Sequence, residues 1–466
     1  MRIARNFIEG KGLYHNLEEK VQTNTSLLYP ILTAPFQWLS PDLAPRAVMS
    51  FDFFLFFLNI LLISGLLIKI SDIGKLIASR QILLFSVLNF ALYSGRVVTP
   101  GMETQLYLLF ISGTFLLRQS GLFSFIPASL IVFCRPEGIL LFWSIWLSGI
   151  RRRISVTEKI IPALFALLVT GFFLLIGYWV YGSAIPHTIL VKQCLKPVYA
   201  ESVIFLFRQV MFDMRYLFLA VLQAIGIWYA WQNLHRNIIR EVAVFLLVYM
   251  VFFTFGPGWN RFFGWYQMPV KFLLTFLAVL QLSEWMKTGL RLVMPVFFLV
   301  LAVYEGNVYR RMATYRQDGI RSAGKMLAQL TENQSFAITC EPIGFLSYHA
   351  GSCRFRDYPG LASRISLRIL REHGPVSVKS YFDNPAFLAI IRESGSGLVL
   401  LSRPEYASFK TIMNREFRFI CRIGKYSEQE FNSEFLVFAN PRNLDTEKIR
   451  KLENRAGRLG YPSALP

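Results

Sequence analysis

From Val48 to Tyr304 the chain is a succession of apolar segments parted by short polar turns, and that pattern leaves few folds open to it. About ten such segments can be delimited, near 48–70, 81–95, 104–117, 121–134, 137–149, 158–181, 214–232, 239–255, 270–286 and 289–304. A perpendicular bilayer span needs about 20 residues, so 48–70 and 158–181 are long enough, and the middle segments are short. Only 17% of residues are charged against 54% hydrophobic, which excludes an ordinary soluble domain of this length. The fold class expected is mainly α, a polytopic transmembrane helical bundle, with a C-terminal extracytoplasmic α/β domain.

The formal charge of +20 does not indicate nucleic acid as a partner, because the basic residues are spread over turns. If residues before Val48 lie outside, the turns that fall inside carry Lys69, Lys75 and Arg80, then Arg118, then Arg151, Arg152, Arg153 and Lys159. Arg236 and Arg240 follow, then Lys287 and Arg291. Every inside turn is basic, as the positive-inside rule requires. Ten crossings return the chain to its starting side, so 1–47, the loop 182–213 and everything after Tyr304 share the extracytoplasmic face.

Flanking segments complete the division. Residues 1–47 are too polar to span, but Leu27, Leu28, Ile31, Leu32 and Phe36 recur at helical spacing with Pro30 and Pro35 between them. Short interfacial helices are predicted there, with Tyr29 and Trp38 at the lipid boundary. Residues 48–304 form the bundle. Residues 305–440 alternate helix and strand: helices near 316–330, 361–372 and 385–393, and strands at 335–340, 397–402 and 433–439. Residues 341–348 and 357–361 read as strand, turn and strand running into a helix start. The polar, basic 441–466 reads as a disordered tail. Of the five cysteines, Cys340 and Cys353 admit a disulfide or two free thiols, and no spacing suits zinc.

Polar groups at the outer ends of membrane segments are the functional candidates, since an ionisable group at that depth is costly. Glu103 opens a helix, where it would suit the helix dipole or a site. Arg135 and Glu137 lie in the tight turn Arg135-Pro136-Glu137-Gly138 between two apolar runs and either pair together or orient a ligand. His187 and Lys192 follow one another on an outer loop and could hold a phosphate. Arg261 stands among aromatics including Trp265 and Tyr266, suited to a lipid headgroup or a sugar face, or to an ordinary aromatic belt. No nucleophile–base pair, phosphate loop or dinucleotide fingerprint is present, so the substrate must arrive activated.

Taken in order, ARNFIEGKGLYHN with EEKVQTNTSLLY, GMETQLY, RPEGILLF, YGSAIPHTILVK, FFGWYQMP, and EPIGFLSY with DYPGL resemble the GT-C superfamily of polytopic membrane glycosyltransferases. The likeness is to its bacterial arabinofuranosyltransferase- and mannosyltransferase-like branch. It implies transfer of a sugar from a polyprenyl-phosphate donor to a glycan or lipid acceptor on the outer face of the inner membrane, with inversion. In that pattern a helix and an acidic pair precede the ARNF-like piece. Met1 falls where the pair ends, so this chain is expected to lack both and to transfer poorly. The catalytic residue is then unknown, and Glu103 and Glu137 are the remaining local carboxylates. His187, Lys192 and Arg261 are expected at the donor phosphate, and Arg135, Trp265 and Tyr266 in substrate positioning. A divalent cation is compatible with the superfamily, although no residue pattern here marks a metal site. Two other readings compete, a non-catalytic scaffold and a transporter or lipid flippase. The second predicts paired interrupted helices, which are not seen.

Overall fold

The computed structural model describes residues 1–16, 19–40, 42–70, 86, 103–149, 156–194, 203–211, 217–256, 264–285, 319–332, 334–340, 344–350, 352–357, 363–373, 385–424 and 434–465. Apart from Ser86, the expected segments 81–95 and 289–304 lie outside these residues. The chain is a polytopic helical bundle with a C-terminal α/β domain. Among the described residues four helices are long and apolar enough to cross a membrane: Leu43–Ile70, Ile160–Tyr181 within Val156–Tyr181, Asn237–Phe255 and Met268–Trp285. Thr104–Leu116, Ile139–Gly149 and Leu217–Gln232 are shorter.

The bundle turns large apolar side chains outward. Along Val156–Tyr181, Leu164, Leu168, Phe172, Leu175 and Trp179 recur at helical spacing and all are exposed, Trp179 to 84%. Such a stripe is unstable in water and suited to lipid. The opposite extreme is Met268–Trp285, in which every residue from Met268 to Ser283 is buried. It forms the bundle axis and lies closest to Leu217–Gln232. A Cβ on Gly226 would strike the Leu274 carbonyl, so this crossing needs glycine. Leu43–Ile70 and Thr104–Leu116 are joined by polar contacts: Asn59 Nδ2 donates to the Gln105 carbonyl at 2.9 Å and Ser112 Oγ to Asn59 Oδ1 at 3.1 Å.

The expected continuous segment 121–134 is instead broken into a 3-10 stretch to Ser124, the helix Phe125–Leu130 and a 3-10 turn Ile131–Phe133. Its last turn tightens because the Phe133 carbonyl is taken from outside, by Leu27 N at 3.0 Å and Ser26 Oγ at 3.3 Å. The predicted short helices before Val48 are present as Leu28–Thr33 and the 3-10 run Ala34–Trp38. Trp38 is exposed. Tyr29 is buried instead, donating its hydroxyl to Asp52 at 2.8 Å.

In the tail, five strands pair in the order β2-β1-β3-β5-β4, with β1 Ala337–Thr339, β2 Arg354–Arg356, β3 Leu398–Ser402, β4 Arg418–Ile423 and β5 Phe435–Ala439. β1 runs parallel to β2 and β3, and β5 antiparallel to β3 and β4. Side chains alternate between two cores. Leu398, Leu400, Phe435 and Val437 face residues 319–331 and Thr446–Arg458, while Val399, Leu401, Leu436 and Phe438 face Arg364–Glu372, Pro385–Glu393 and Arg403–Glu416. The second core also takes Val191 from the outer-loop helix His187–Cys194, so the bundle contributes to the tail's interior.

Two expectations are corrected here. Residues 446–458 are helical and not a disordered tail, because Leu452 and Ala456 lie one turn apart and bury against the sheet beneath an Asp445 N-cap. Within 341–348, Gly344–His349 is a helix, and the second strand follows it at β2. Of the two alternatives left open for Cys340 and Cys353, the structure has no disulfide, and both side chains are buried.

Ser402 ends β3 and begins Arg403–Glu416 through a capping box with Glu405, whose carboxylate accepts Ser402 N at 2.6 Å. Burial raises the Glu405 pKa from 4.5 to about 7, against the lowering effect of those bonds. Between these values the folded chain keeps a proton that the unfolded chain releases. Stability therefore falls as pH rises through that window. Hydrogen exchange of the amides of Arg403–Glu416 should show less protection at pH 8 than at pH 5 after correction for intrinsic rates. Glu405→Gln, which preserves the cap, should remove the difference. A pH dependence that persists in the variant would assign it elsewhere.

Candidate active site

Three segment ends converge on one buried charge. Arg135 precedes Pro136, which disfavours helical backbone, and it is extended at φ −155°, ψ 128°. The turn Pro136–Gly138 closes behind it, with Gly138 N donating to the Arg135 carbonyl at 2.8 Å. A Cβ on Gly138 would lie 2.8 Å from Ile131 Cγ2, so the turn requires glycine. The Arg135 side chain is 1% exposed and enters the bundle.

Glu103 stands at the N-cap of Thr104–Leu116 but makes no side-chain cap bond. Its Oε1 accepts Arg135 Nε at 3.1 Å and Thr25 Oγ1 at 3.3 Å. The carboxylate thus serves the arginine and the N-terminal strap, and the dipole reading is displaced. Glu137 Oε1 lies 3.6 Å from Arg135 Nη1, within ion-pair range but beyond a hydrogen bond. Two rings flank the guanidinium, Tyr266 at 4.9 Å and Tyr107 at 5.5 Å to the centroid. Tyr266 is itself placed by Tyr249, whose hydroxyl donates to the Tyr266 carbonyl at 3.2 Å, and by Phe253, ring to ring at 4.9 Å. Burial opposes the charge on Arg135, yet Glu103 and Glu137 outweigh it and hold the pKa above the ordinary arginine value.

The cluster has unused hydrogen-bonding capacity. Among the described residues Arg135 Nη1 and Nη2, Glu137 Oε1 and the Tyr107 hydroxyl are buried without a hydrogen-bond partner. Buried polar groups are normally paired, and such exceptions call for a cause. Two donors, a carboxylate oxygen and a phenol beside aromatic faces form a set that a polyhydroxylated ligand can satisfy.

Of the residues expected at a site, Glu103, Arg135, Glu137 and Tyr266 are therefore in one cluster. His187 is not part of it. His187 is buried, its Nε2 donates to the Ser363 carbonyl at 3.3 Å, and it lines an outer cleft with Gln22, Tyr181 and Arg364. The Lys192 and Trp265 side chains and all of Arg261 lie outside the described residues. Thr25, Tyr107 and Tyr249 were not singled out from the sequence. Tyr107 follows Glu103 by four residues, one helical turn, which is the signal that could have found it. Among the described residues no group of three His, Cys, Asp or Glu side chains could hold a metal ion. Glu103 and Glu137 bracket a guanidinium.

Two solved structures share this architecture. The crystal structure of ArnT from Cupriavidus metallidurans bound to undecaprenyl phosphate aligns with a TM-score of 0.53 and 11% identity, over 95% of this chain and 92% of that one. Its apo form aligns with a TM-score of 0.50 and 12% identity, over 94% and 92%. The fold is that of these ArnT structures. No family model matches the sequence, and no curated protein matches it either. At this identity the likeness is one of fold, and it runs through the bundle and the tail alike.

Arg135 should bear on stability as well as function. Breaking a buried ion pair by removing one partner costs about 3–5 kcal/mol. Arg135→Ala should lower the thermal midpoint in detergent sharply, because it strands Glu103 and Glu137. Arg135→Met combined with Glu103→Gln should restore much of the loss. Equal midpoints in all three proteins would mean that the pair is solvated.

Proposed function

We propose that the protein is a glycosyltransferase that moves a sugar from a polyprenyl-phosphate donor to a glycan or lipid acceptor on the outer face of the bacterial inner membrane. The observation that carries this is the Arg135 cluster, with its unpartnered Nη donors, unpartnered Glu137 oxygen and flanking tyrosines, set in a GT-C-like fold. The solved ArnT complex holds undecaprenyl phosphate, which supports a lipid of that class here.

In the reaction, the acceptor hydroxyl oxygen bonds to the anomeric carbon as the bond from that carbon to phosphate oxygen breaks. Polyprenyl phosphate leaves with the electron pair, and the hydroxyl proton goes to a carboxylate. Glu137 is the better base. Glu103 is engaged by Arg135 Nε and Thr25, whereas Glu137 keeps an oxygen free to accept. Arg135 and the tyrosines orient the sugar. The negative charge that develops on the leaving phosphate is met by cations. Arg135 Nη supplies one, and Arg261, close in sequence to Tyr266, supplies the other, with Lys192 the further candidate from the outer loop.

Liposomes containing the full chain and a panel of radiolabelled polyprenyl-phosphate pentoses and hexoses test this. Glu137→Gln should cut transfer by about 10²–10⁴-fold with donor binding retained. Arg261→Ala should weaken donor binding about tenfold, as expected for a charge-assisted hydrogen bond of roughly 1.5–3 kcal/mol. An unchanged rate in Glu137→Gln would move the base elsewhere. Donor binding without transfer by the wild type would support the non-catalytic scaffold.

The basic inside turns support an extracytoplasmic tail. A reporter active only outside the cytoplasm should work when fused after Gly306 and be silent after Arg153. The reverse pattern would invert the orientation and remove the cluster from the face where the lipid-linked donor is offered.

A further inference from the structure

The outer cleft that contains His187 has a chemistry of its own. It encloses about 370 Å³, within the range of small-ligand pockets, roughly 300–1,000 Å³. Three segments wall it: the strap at Lys20–Gln22, the loop from Tyr181 to Leu190, and the tail helix Arg364–Glu372. Arg364, Arg368 and Arg371 fall on one helical stripe, while Ile369 and Leu370 turn into the tail core. With Lys20 they place four cations on the lining against the one carboxylate of Glu372, which lies 3.7 Å from Arg368. Arg364 Nη2 is occupied by the Lys20 and Tyr181 carbonyls and so fixes the wall.

Exposed arginines alone could be a solvated face. Gln22 is different. It lines the same cleft, is only 3% exposed, and neither amide atom has a hydrogen-bond partner among the described residues. A buried primary amide with both ends open is costly unless a ligand completes it.

We propose that this cleft binds the anionic group, phosphate or carboxylate, of the acceptor. The inference rests on the transferase reading above. Gln22 and Thr25 are three residues apart on the strap, at most about 11 Å of chain, and Thr25 bonds Glu103 in the Arg135 cluster. An acceptor anchored by its charge at Gln22 can therefore present a hydroxyl to Glu137. The donor fits the cleft less well. Among the described lining residues the aliphatic side chains are those of Val21, Ile185, Leu190 and Leu367, too few to wall a path for a polyprenyl chain.

The test is equilibrium dialysis of the full chain in neutral detergent against radiolabelled glucose 6-phosphate, glucuronate and glucose. One or both anions should bind saturably and more weakly in high salt, and glucose should not. Arg368→Gln with Arg371→Gln, both exposed positions, should weaken binding at least tenfold, and Gln22→Ala should do so independently. Failure of both anions to bind overturns the proposal and leaves the transferase reading standing if transfer to a neutral acceptor persists. Equal competition by polyprenyl monophosphate overturns it by assigning the charge to the donor. If phosphatidylglycerol vesicles float the wild type but not the double variant, and neither sugar anion binds, the stripe is a membrane-surface patch. Anion binding by a chain that transfers nothing to any acceptor refutes the transferase reading, and the acceptor role with it.

Discussion

A guanidinium buried as completely as that of Arg135 has to be paired, and the outer half of the bundle is arranged around that requirement. Uncompensated burial of a charge costs several kcal/mol even after relaxation. Glu103 at the start of one helix, Glu137 within the turn Pro136–Gly138 and two tyrosine faces from separate segments together meet it. None of the four can move far without exposing the charge to apolar surroundings. This preorganisation is what a transfer site needs, since groups held in place before reaction need no reorganisation during it.

The N-terminal strap carries that order outward. Thr25 holds Glu103, Ser26 and Leu27 hold Phe133, and Tyr29 holds Asp52. Further back, Asn16 exchanges two hydrogen bonds with the Phe355 backbone at 2.7 and 3.1 Å, acting as a partner for the edge strand β2. Arg2 donates to the Ser347 and Cys353 carbonyls. One continuous stretch therefore contacts both the buried cluster and the tail sheet, and Val191 returns the contact by entering the tail's core.

Much of this was legible in the sequence, for identifiable reasons. Apolar length and basic turns announce a membrane bundle, because lipid admits only helices and closed barrels and long continuous apolar runs select the helix. The strands β3 and β5 were found because burial on both faces leaves continuous apolar runs. Thr446–Arg458 was missed because two small apolar contacts in a polar helix leave a weak signal, although they suffice once the sheet lies beneath them. At the site, Glu103, Arg135, Glu137 and Tyr266 drew notice as polar groups at segment ends. Their convergence was not legible, since it depends on how segments separated by more than a hundred residues pack. His187 illustrates the limit: its neighbourhood in sequence suggests a phosphate ligand, but its position is settled by the Ser363 carbonyl, which is 176 residues away.

The two sites also divide charge in a way that bears on one another. The inner cluster sets two carboxylates against one guanidinium, while the cleft sets one carboxylate against four cations. An anion brought to the inner cluster would meet a like charge with few counter-charges. At a separation on the order of 10 Å, an anion would feel each carboxylate by only about 1.7 kcal/mol at an effective dielectric near 20. The cleft's cations act on it at closer range. On the proposed reading, separation along the strap would let an acidic acceptor approach a carboxylate base without silencing it. The base must remain ionised to take the hydroxyl proton, and an anion in direct contact would favour its protonation. On that reading, an anchoring charge at Gln22 and proton transfer at Glu137 would meet both demands, with the strap linked to the inner cluster through Thr25 and Glu103.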